Sequence, residues 1–369
     1  MADLTQSEPL KTQEPVWQVK TRTRASGLFA IFSGALVLGL ALLPLFAGRG
    51  LIQDLFFILT MLVLAQLWNL LAGYGGLVSV GQQAFVGVGA YAMFAAAIFA
   101  GIDPVAAILL GGLAALVVAI PMGFFAFRLA GAYFAIGTWV MAEVVRLILA
   151  QVKPLGGGTG TSLPRSVTSE IWATGWIEQT LDVKASAARD ILNYWLALGL
   201  AVLVIAAIYA LLRSRRGLAL SAVRDNPEAA KSVGVDAGLV KWLVFLAASC
   251  GTGLAGALIY VQKARLSPDA AFSVTDWTAY VIFIVVIGGL GTIEGPILGV
   301  LVFFALQSLL ADFGSWYLIT LGLIGIVVML FAPKGLWGLI SARTGLHLFP
   351  IRRRLEGTGL ADKTADTAP

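Results

Sequence analysis

The chain has 369 residues, of which 59% are hydrophobic and 12% charged, and its mean hydropathy is +0.90. Soluble domains carry about 25% charged residues, so a water-soluble single-domain enzyme is excluded. The net charge of +5 points to basic loops facing anionic lipid and away from nucleic acid, while a lone Cys250 and a lone His347 exclude a disulfide framework, a Cys-based metal cluster and a multi-histidine site.

The elements follow from the runs that lack Asp, Glu, Lys and Arg, because a helix needs roughly 20 apolar residues to cross a bilayer. A polar tail, 1–26, comes first and is predicted to be disordered in water. The apolar segment 27–48 is too long for a signal-peptide core and lacks an Ala-x-Ala-like end, so it is predicted to be a retained anchor. The charge-free run 55–102 supplies two crossings, 51–72 and 78–100, broken at Gly73-Tyr74-Gly75-Gly76. Segment 104–127 is the next helix, and 131–152 crosses despite Glu143 and Arg146. A loop at 153–190 holds Gly156-Gly157-Gly158-Thr159-Gly160, Trp172 and Trp176. After the helix 191–212, the loop 213–240 carries the densest charge in the chain. Helices at 241–262, 275–292, 295–311 and 314–333 complete a membrane domain over 27–340, followed by a tail at 341–369. The predicted fold class is all-α integral membrane with about ten transmembrane helices, or eight or nine if neighbours merge at the Gly/Pro breaks.

With ten spans and an inner N-terminus, 17 Lys and Arg residues fall on cytoplasmic segments and 7 on outer ones. The positive-inside rule then places both termini and 213–240 in the cytoplasm and 153–190 on the periplasmic side. The tryptophans Trp68, Trp139, Trp242, Trp277 and Trp316 fall towards span ends, where interfacial anchors sit. His347 and the neighbouring Arg352, Arg353 and Arg354 suit contact with lipid headgroups.

Most of the 42 glycines are predicted to serve close helix packing, as with Gly291, Gly295 and Gly299 at four-residue spacing. Gly87-Val88-Gly89-Ala90-Tyr91-Ala92 formally matches a dinucleotide fingerprint, but no strand precedes it, so it is not a nucleotide site. Gly75-Gly76-Leu77 echoes Gly288-Gly289-Leu290, an echo too short to establish a repeat.

The informative stretch is Arg224-Asp225-Asn226-Pro227-Glu228-Ala229-Ala230-Lys231-Ser232-Val233-Gly234. Asn226 suits an N-cap, Pro227 the first helical position, and Glu228 the positive end of the helix dipole. Gly234 can take the left-handed conformation that ends a helix. A two-turn helix is too short to be stable alone. It must rest either on headgroups or in a groove of a soluble partner.

Glu228-Ala229-Ala230-x-x-x-Gly234 resembles the EAA-loop signature of ABC importer permeases, whose coupling helix contacts the ATPase. The Ile-x-Leu-Pro that follows in the sugar-permease type is absent here. Gly73-Tyr74-Gly75-Gly76-Leu77-Val78-Ser79-Val80-Gly81-Gln82-Gln83-Ala84-Phe85, the Gly156–Gly160 run, 288–296 and Phe331-Ala332-Pro333-Lys334-Gly335-Leu336 resemble the branched-chain amino-acid ABC permease family, in its larger permease subunit, over nearly all of 50–340. That resemblance implies a second homologous permease subunit in a heterodimer, two ATP-binding subunits, a periplasmic substrate-binding protein and a bacterial inner membrane. It also implies ATPase coupling through Arg224, Asp225, Asn226, Pro227, Glu228, Ala229, Ala230 and Gly234, and a binding-protein-facing role for Gly156, Gly157, Gly158, Thr159 and Gly160. Urea and short-amide permeases share much of the pattern, so the substrate stays open between these and branched-chain or related amino acids.

The chain has no P-loop, so ATP hydrolysis falls to separate subunits and the polypeptide is a transport subunit without a cofactor, a metal or catalytic residues. Glu143 and Arg146 share a helix face and either line the pathway or lock packing as an ion pair. Gln82 and Gln83 either line the path or hydrogen-bond between helices. An ion-driven secondary transporter or channel, the reading from a different class, would call for more titratable groups within spans.

Overall fold

Backbone groups at membrane depth have no water to bond, so apolar runs must satisfy them internally as helices. The computed structural model describes residues 17–20, 24–169, 171–310, 316–344, 348–349 and 354–357. Among them, eight helices are long and apolar enough to cross a membrane, and two shorter apolar ones span Phe32–Leu45 and Glu294–Leu310. These ten segments correspond to the ten apolar runs of the sequence, and the chain is a multi-pass membrane protein.

The helices α1 (Arg24–Leu42) and α2 (Arg49–Asn69) open the membrane domain. A π-helical turn, Leu70–Tyr74, ends α2, and non-helical chain then leads to α3 (Gln82–Phe99). Next come α4 (Pro104–Ala126) and α5 (Ala132–Leu149), then two short helices, α6 (Arg165–Ser169) and α7 (Thr174–Leu181). The long α8 (Ala185–Arg213) leads to α9 (Arg215–Asp225), α10 (Pro227–Ser232) and the long α11 (Ala237–Lys263). The short α12 (Pro268–Ala271) and a second π-helical turn, Thr275–Ala279, precede α13 (Tyr280–Gly288). The chain continues through α14 (Glu294–Leu310), α15 (Trp316–Phe331) and α16 (Gly335–Thr344).

The centre is a bundle of α3, α4 and α11, flanked by α2 against α8 and by a hairpin of α13 and α14. Glycine makes these approaches possible. A Cβ on Gly89 would overlap the Gly253 carbonyl oxygen, and one on Gly256 would overlap that of Val86. In the hairpin, a Cβ on Gly299 would strike the carbonyl of Ile284. Backbones this close gain dispersion contacts that lipid cannot match.

Connections collect at two opposite ends. One end holds 213–240 and the breaks near 73–81 and 288–294; the other holds Arg49, Asp103, the 150–184 segment and 264–275. The 153–190 segment is folded rather than loose: Leu155, Leu163, Ile171 and Ile177 are buried, and the two-residue strand β2 (Thr161–Ser162) pairs antiparallel with β3 (Arg265–Leu266).

Three expectations need correction. Trp68 and Trp277 are not interfacial anchors; both are buried, donating from Nε1 to the carbonyls of Ser79 and Ala270 at 2.8 and 2.7 Å. The N-terminal tail is not wholly structureless, since Trp17–Lys20 pairs antiparallel with Arg354–Gly357 of the C-terminal tail. Residues 24–26 of that stretch belong to α1, and the remainder, 1–16 and 21–23, lies outside the described residues, as do His347, Arg352 and Arg353. Finally, α16 continues helical to Thr344, past the predicted tail boundary at 341.

Candidate functional site

The loop between α8 and α11 folds by local chemistry. Asn226 leaves the helical region and its Oδ1 accepts from the backbone N–H groups of Glu228 and Ala229, each at 3.1 Å. Pro227 occupies the first helical position, where its missing donor is not needed. Glu228 reaches Lys231 at 2.9 Å on an exposed face. Gly234 has φ +82°, which lets the chain turn so that Val235 donates back to the Ala230 carbonyl at 3.0 Å. Asp236 then caps α11, accepting from the Leu239 N–H at 3.0 Å.

Ala230 turns inward. It is buried against Val223 and Ala237 of its own chain, which seats α10 on α9 and the start of α11. The outward face carries Glu228, Ala229, Lys231 and Ser232, next to the exposed apolar side chains of Val233 and Leu239.

Beside α10 opens a cavity of about 750 Å³. Its walls include Glu228 and Lys231, Lys241 and Trp242 of α11, Phe134 of α5, and Gly76, Leu77 and Val78 of the non-helical segment after α2. That segment runs into the membrane body: Val80 N–H bonds Thr138 Oγ1 in the middle of α5 at 3.0 Å, and Ser79 meets Trp68. Irregular backbone at membrane depth is tolerated where protein buries it or where it lines an aqueous path.

Arg224 and Asp225 pair at 3.0 Å, and Arg224 Nη1 also donates to the Gly73 carbonyl at 3.0 Å. Gln82 and Gln83 are buried and bond between helices, Gln82 Nε2 donating to Thr252 Oγ1 at 2.8 Å and Gln83 Oε1 accepting from Thr278 Oγ1. Neither lines the cavity.

At the opposite end, Arg146 bonds both Glu143 and Asp269, the latter at 2.9 Å. Glu143 is 45% exposed and so is not enclosed within the bundle. The 156–160 run packs on the 264–267 connection: a Cβ on Gly160, at φ +80°, would overlap the Leu266 carbonyl, whereas Gly158 faces open space. Gly156 through Gly160 and Arg146 thus share one end, and the α10 group occupies the other.

The sequence reasoning missed Asp190, which it left at the edge of a loop. The side chain is 3% exposed and accepts from Arg49 Nε, from Gln53 Nε2 at 2.9 Å and from Gln262 Nε2 at 2.9 Å. Asn193 extends the network by donating to Gln262 Oε1. The available signal was the set of amide side chains, Gln53, Asn193 and Gln262, near the ends of otherwise apolar runs.

The family model described as "Branched-chain amino acid transport system / permease component" matches residues 49–332, which hold all of α2 through α15, the α10 loop included. The chain is 28% identical over 306 residues to the high-affinity branched-chain amino acid transport system permease protein LivM of Salmonella typhimurium, covering 79% of this chain and 71% of that protein. It is likewise 28% identical over 306 residues to LivM of Escherichia coli, with the same coverage. No solved structure matches the chain.

Proposed function

The chain belongs to the family of branched-chain amino acid transport permeases, and we propose that it is the membrane subunit of an ATP-driven importer in the bacterial inner membrane. A permease subunit of this kind is not itself an enzyme. In this reading it pairs with a second, homologous permease, two ATP-binding subunits engage the 213–240 end, and a periplasmic binding protein delivers substrate at the 153–190 end. Both tails and 213–240 lie in the cytoplasm, and 27–340 is the permease domain. The cargo is a branched-chain or related amino acid, by analogy with the LivM relatives, whose names give branched-chain amino acids.

The observation that carries the reading is α10. A six-residue helix does not persist in water on its own propensity, yet this one is capped at Asn226, terminated at Gly234 and seated by Ala230, with Glu228, Ala229 and Lys231 left outward. Such a rigid, small projection fits a groove on a soluble partner. The cavity beside it, walled by Leu77, Val78 and Phe134, is the inner half of the pathway in this proposal. α5 buries only Phe134, Thr138 and Ala142 and would present its free face to the second permease. Glu143 and Arg146 then lie at the outer mouth of that interface, where a zwitterionic cargo passes.

Uptake tests the proposal directly. Cells lacking the chromosomal copy should lose accumulation of labelled leucine, isoleucine or valine, and regain it only when this chain and its ATPase subunits are both expressed. Uptake of urea or a short amide in its place would move the substrate to the related permeases. Uptake without ATPase subunits would remove the importer reading altogether.

A further inference from the structure

Arg224 sits in the last turn of α9, two residues before the N-cap of α10. It is tied to α10 in two ways: through the intervening backbone, and because Ala230 packs on Val223, its own neighbour. Its guanidinium is held from behind by Asp225, Nε and Nη2 both donating to Oδ1 at 3.1 and 3.0 Å. The free arm, Nη1, points into the membrane domain and donates to the Gly73 carbonyl at 3.0 Å. The aliphatic stem covers Gly76, where a Cβ would lie 3.4 Å from Arg224 Cγ.

Gly73 is part of a larger unit. A Cβ there would lie 2.6 Å from the Gly291 nitrogen, so the break after α2 and the break after α13 are in backbone contact. Side chains of α2 bind the second break to the first. Asn69 Oδ1 accepts from the Gly291 N–H at 2.8 Å while its Nδ2 donates to the Thr292 carbonyl at 2.8 Å, and Gln66 Nε2 donates to the Ile293 carbonyl at 2.7 Å. Residues 66–73 and 291–293 therefore form one hydrogen-bonded body. The non-helical segment that walls the cavity, Gly76 to Val78, leaves directly from it.

We propose that Arg224 is a positioning residue that links α10 to this paired break, so that displacement of α10 moves the Gly76–Val78 wall of the cavity. The link rests on the reading of α10 as the ATPase-coupling helix, and it assigns Arg224 an inward role rather than a contact with the ATPase. A guanidinium suits the task, because its planar fork holds Asp225 and a backbone carbonyl at once with little freedom left to lose. The bond is charge-assisted, and its loss is felt as a break in the linkage, not as an unpaired charge, since Arg224 stays partly exposed.

The test uses the complete complex with its ATPase subunits, binding protein and a Cys250→Ser permease carrying Val78→Cys as a reporter, a position 48% exposed on the cavity wall. In the otherwise native complex, thiol labelling at position 78 should change rate between nucleotide-free and vanadate-trapped states. Arg224→Gln should leave the ATPase subunits bound but abolish that nucleotide-dependent change, and cut substrate-stimulated ATP hydrolysis by about tenfold or more. Arg224→Lys, which keeps a charged donor for Gly73, should restore part of both. A normal labelling change in Arg224→Gln, or loss of the ATPase subunits from that complex, overturns the proposal. Gly234→Val in the same assay separates the two readings. If it impairs stimulation while Arg224→Gln does not, only the Arg224 link falls; if it leaves stimulation intact, the coupling role of α10 falls and the link with it.

Discussion

Asp190 illustrates how a single charge is kept within an apolar bundle. Three donors from α2 and α11 converge on its carboxylate, so the charge is bonded on several sides while the Arg49 partner stays 51% exposed to water. Removing the carboxylate leaves those donors without their acceptor, and hydrogen bonds to charged groups carry about 1.5–3 kcal/mol. Asp190→Ala is therefore expected to lower the thermal unfolding midpoint of the purified, detergent-solubilised chain by several degrees. Glu228→Gln, at an exposed pair with Lys231, should leave that midpoint unmoved, because exposed helix pairs contribute about 0.3–0.5 kcal/mol. If the two variants melt alike, the Asp190 network has no special structural role. Ala230 behaves differently from both. Its methyl is enclosed by Val223 and Ala237, so Ala230→Leu should unseat α10 within its own chain, seen as faster proteolysis at 225–236 in the absence of any partner.

Among the elements, α10 is held mainly by its ends. Asn226 satisfies two of the first backbone donors, and replacing such a cap by Ala is worth about 1 kcal/mol. Asn226→Ala is expected to fray α10 and raise amide hydrogen exchange at 228–231 without changing exchange in α8 or α11. The three-helix centre responds to different chemistry. α3 and α11 touch through backbone at Gly89 and Gly253, so no side-chain rotation can make room for a Cβ. Gly89→Val should therefore drive the helices apart, and overpacking of this kind costs about 1–3 kcal/mol. The measurable outcome is a marked loss of monodisperse protein after detergent extraction, whereas Gly158→Val, at a position facing open space, should extract normally. Uptake by Gly158→Val cells then becomes a clean probe of whether the 156–160 run meets a binding protein.

For the whole molecule, the segregation of connections to two ends sets up a topology test. Single cysteines at Ser166 and Ser232, in a Cys250→Ser chain, should react with an impermeant thiol reagent from opposite sides of the membrane, Ser166 from outside. Reaction of both from one side would reject the topology. Several features of the whole were legible in the chain: the ten apolar runs, the break at Gly73-Tyr74-Gly75-Gly76, and the capping of α10 by Asn226, Pro227 and Gly234. Each is dictated by residues within a few positions of one another, because a spanning backbone must bond to itself and a helix end must be capped by its neighbours. The tertiary structure alone decided the rest. Asn69 meets Gly291 across 222 residues, Asp190 meets Arg49 across 141, and Arg224 meets Gly73 across 151. The breaks after α2 and α13 likewise come together only there, through Gly73 and Gly291. Helices in a bilayer associate without a hydrophobic force to rank their faces, so the apolar pattern that fixes each span is silent about which spans become neighbours.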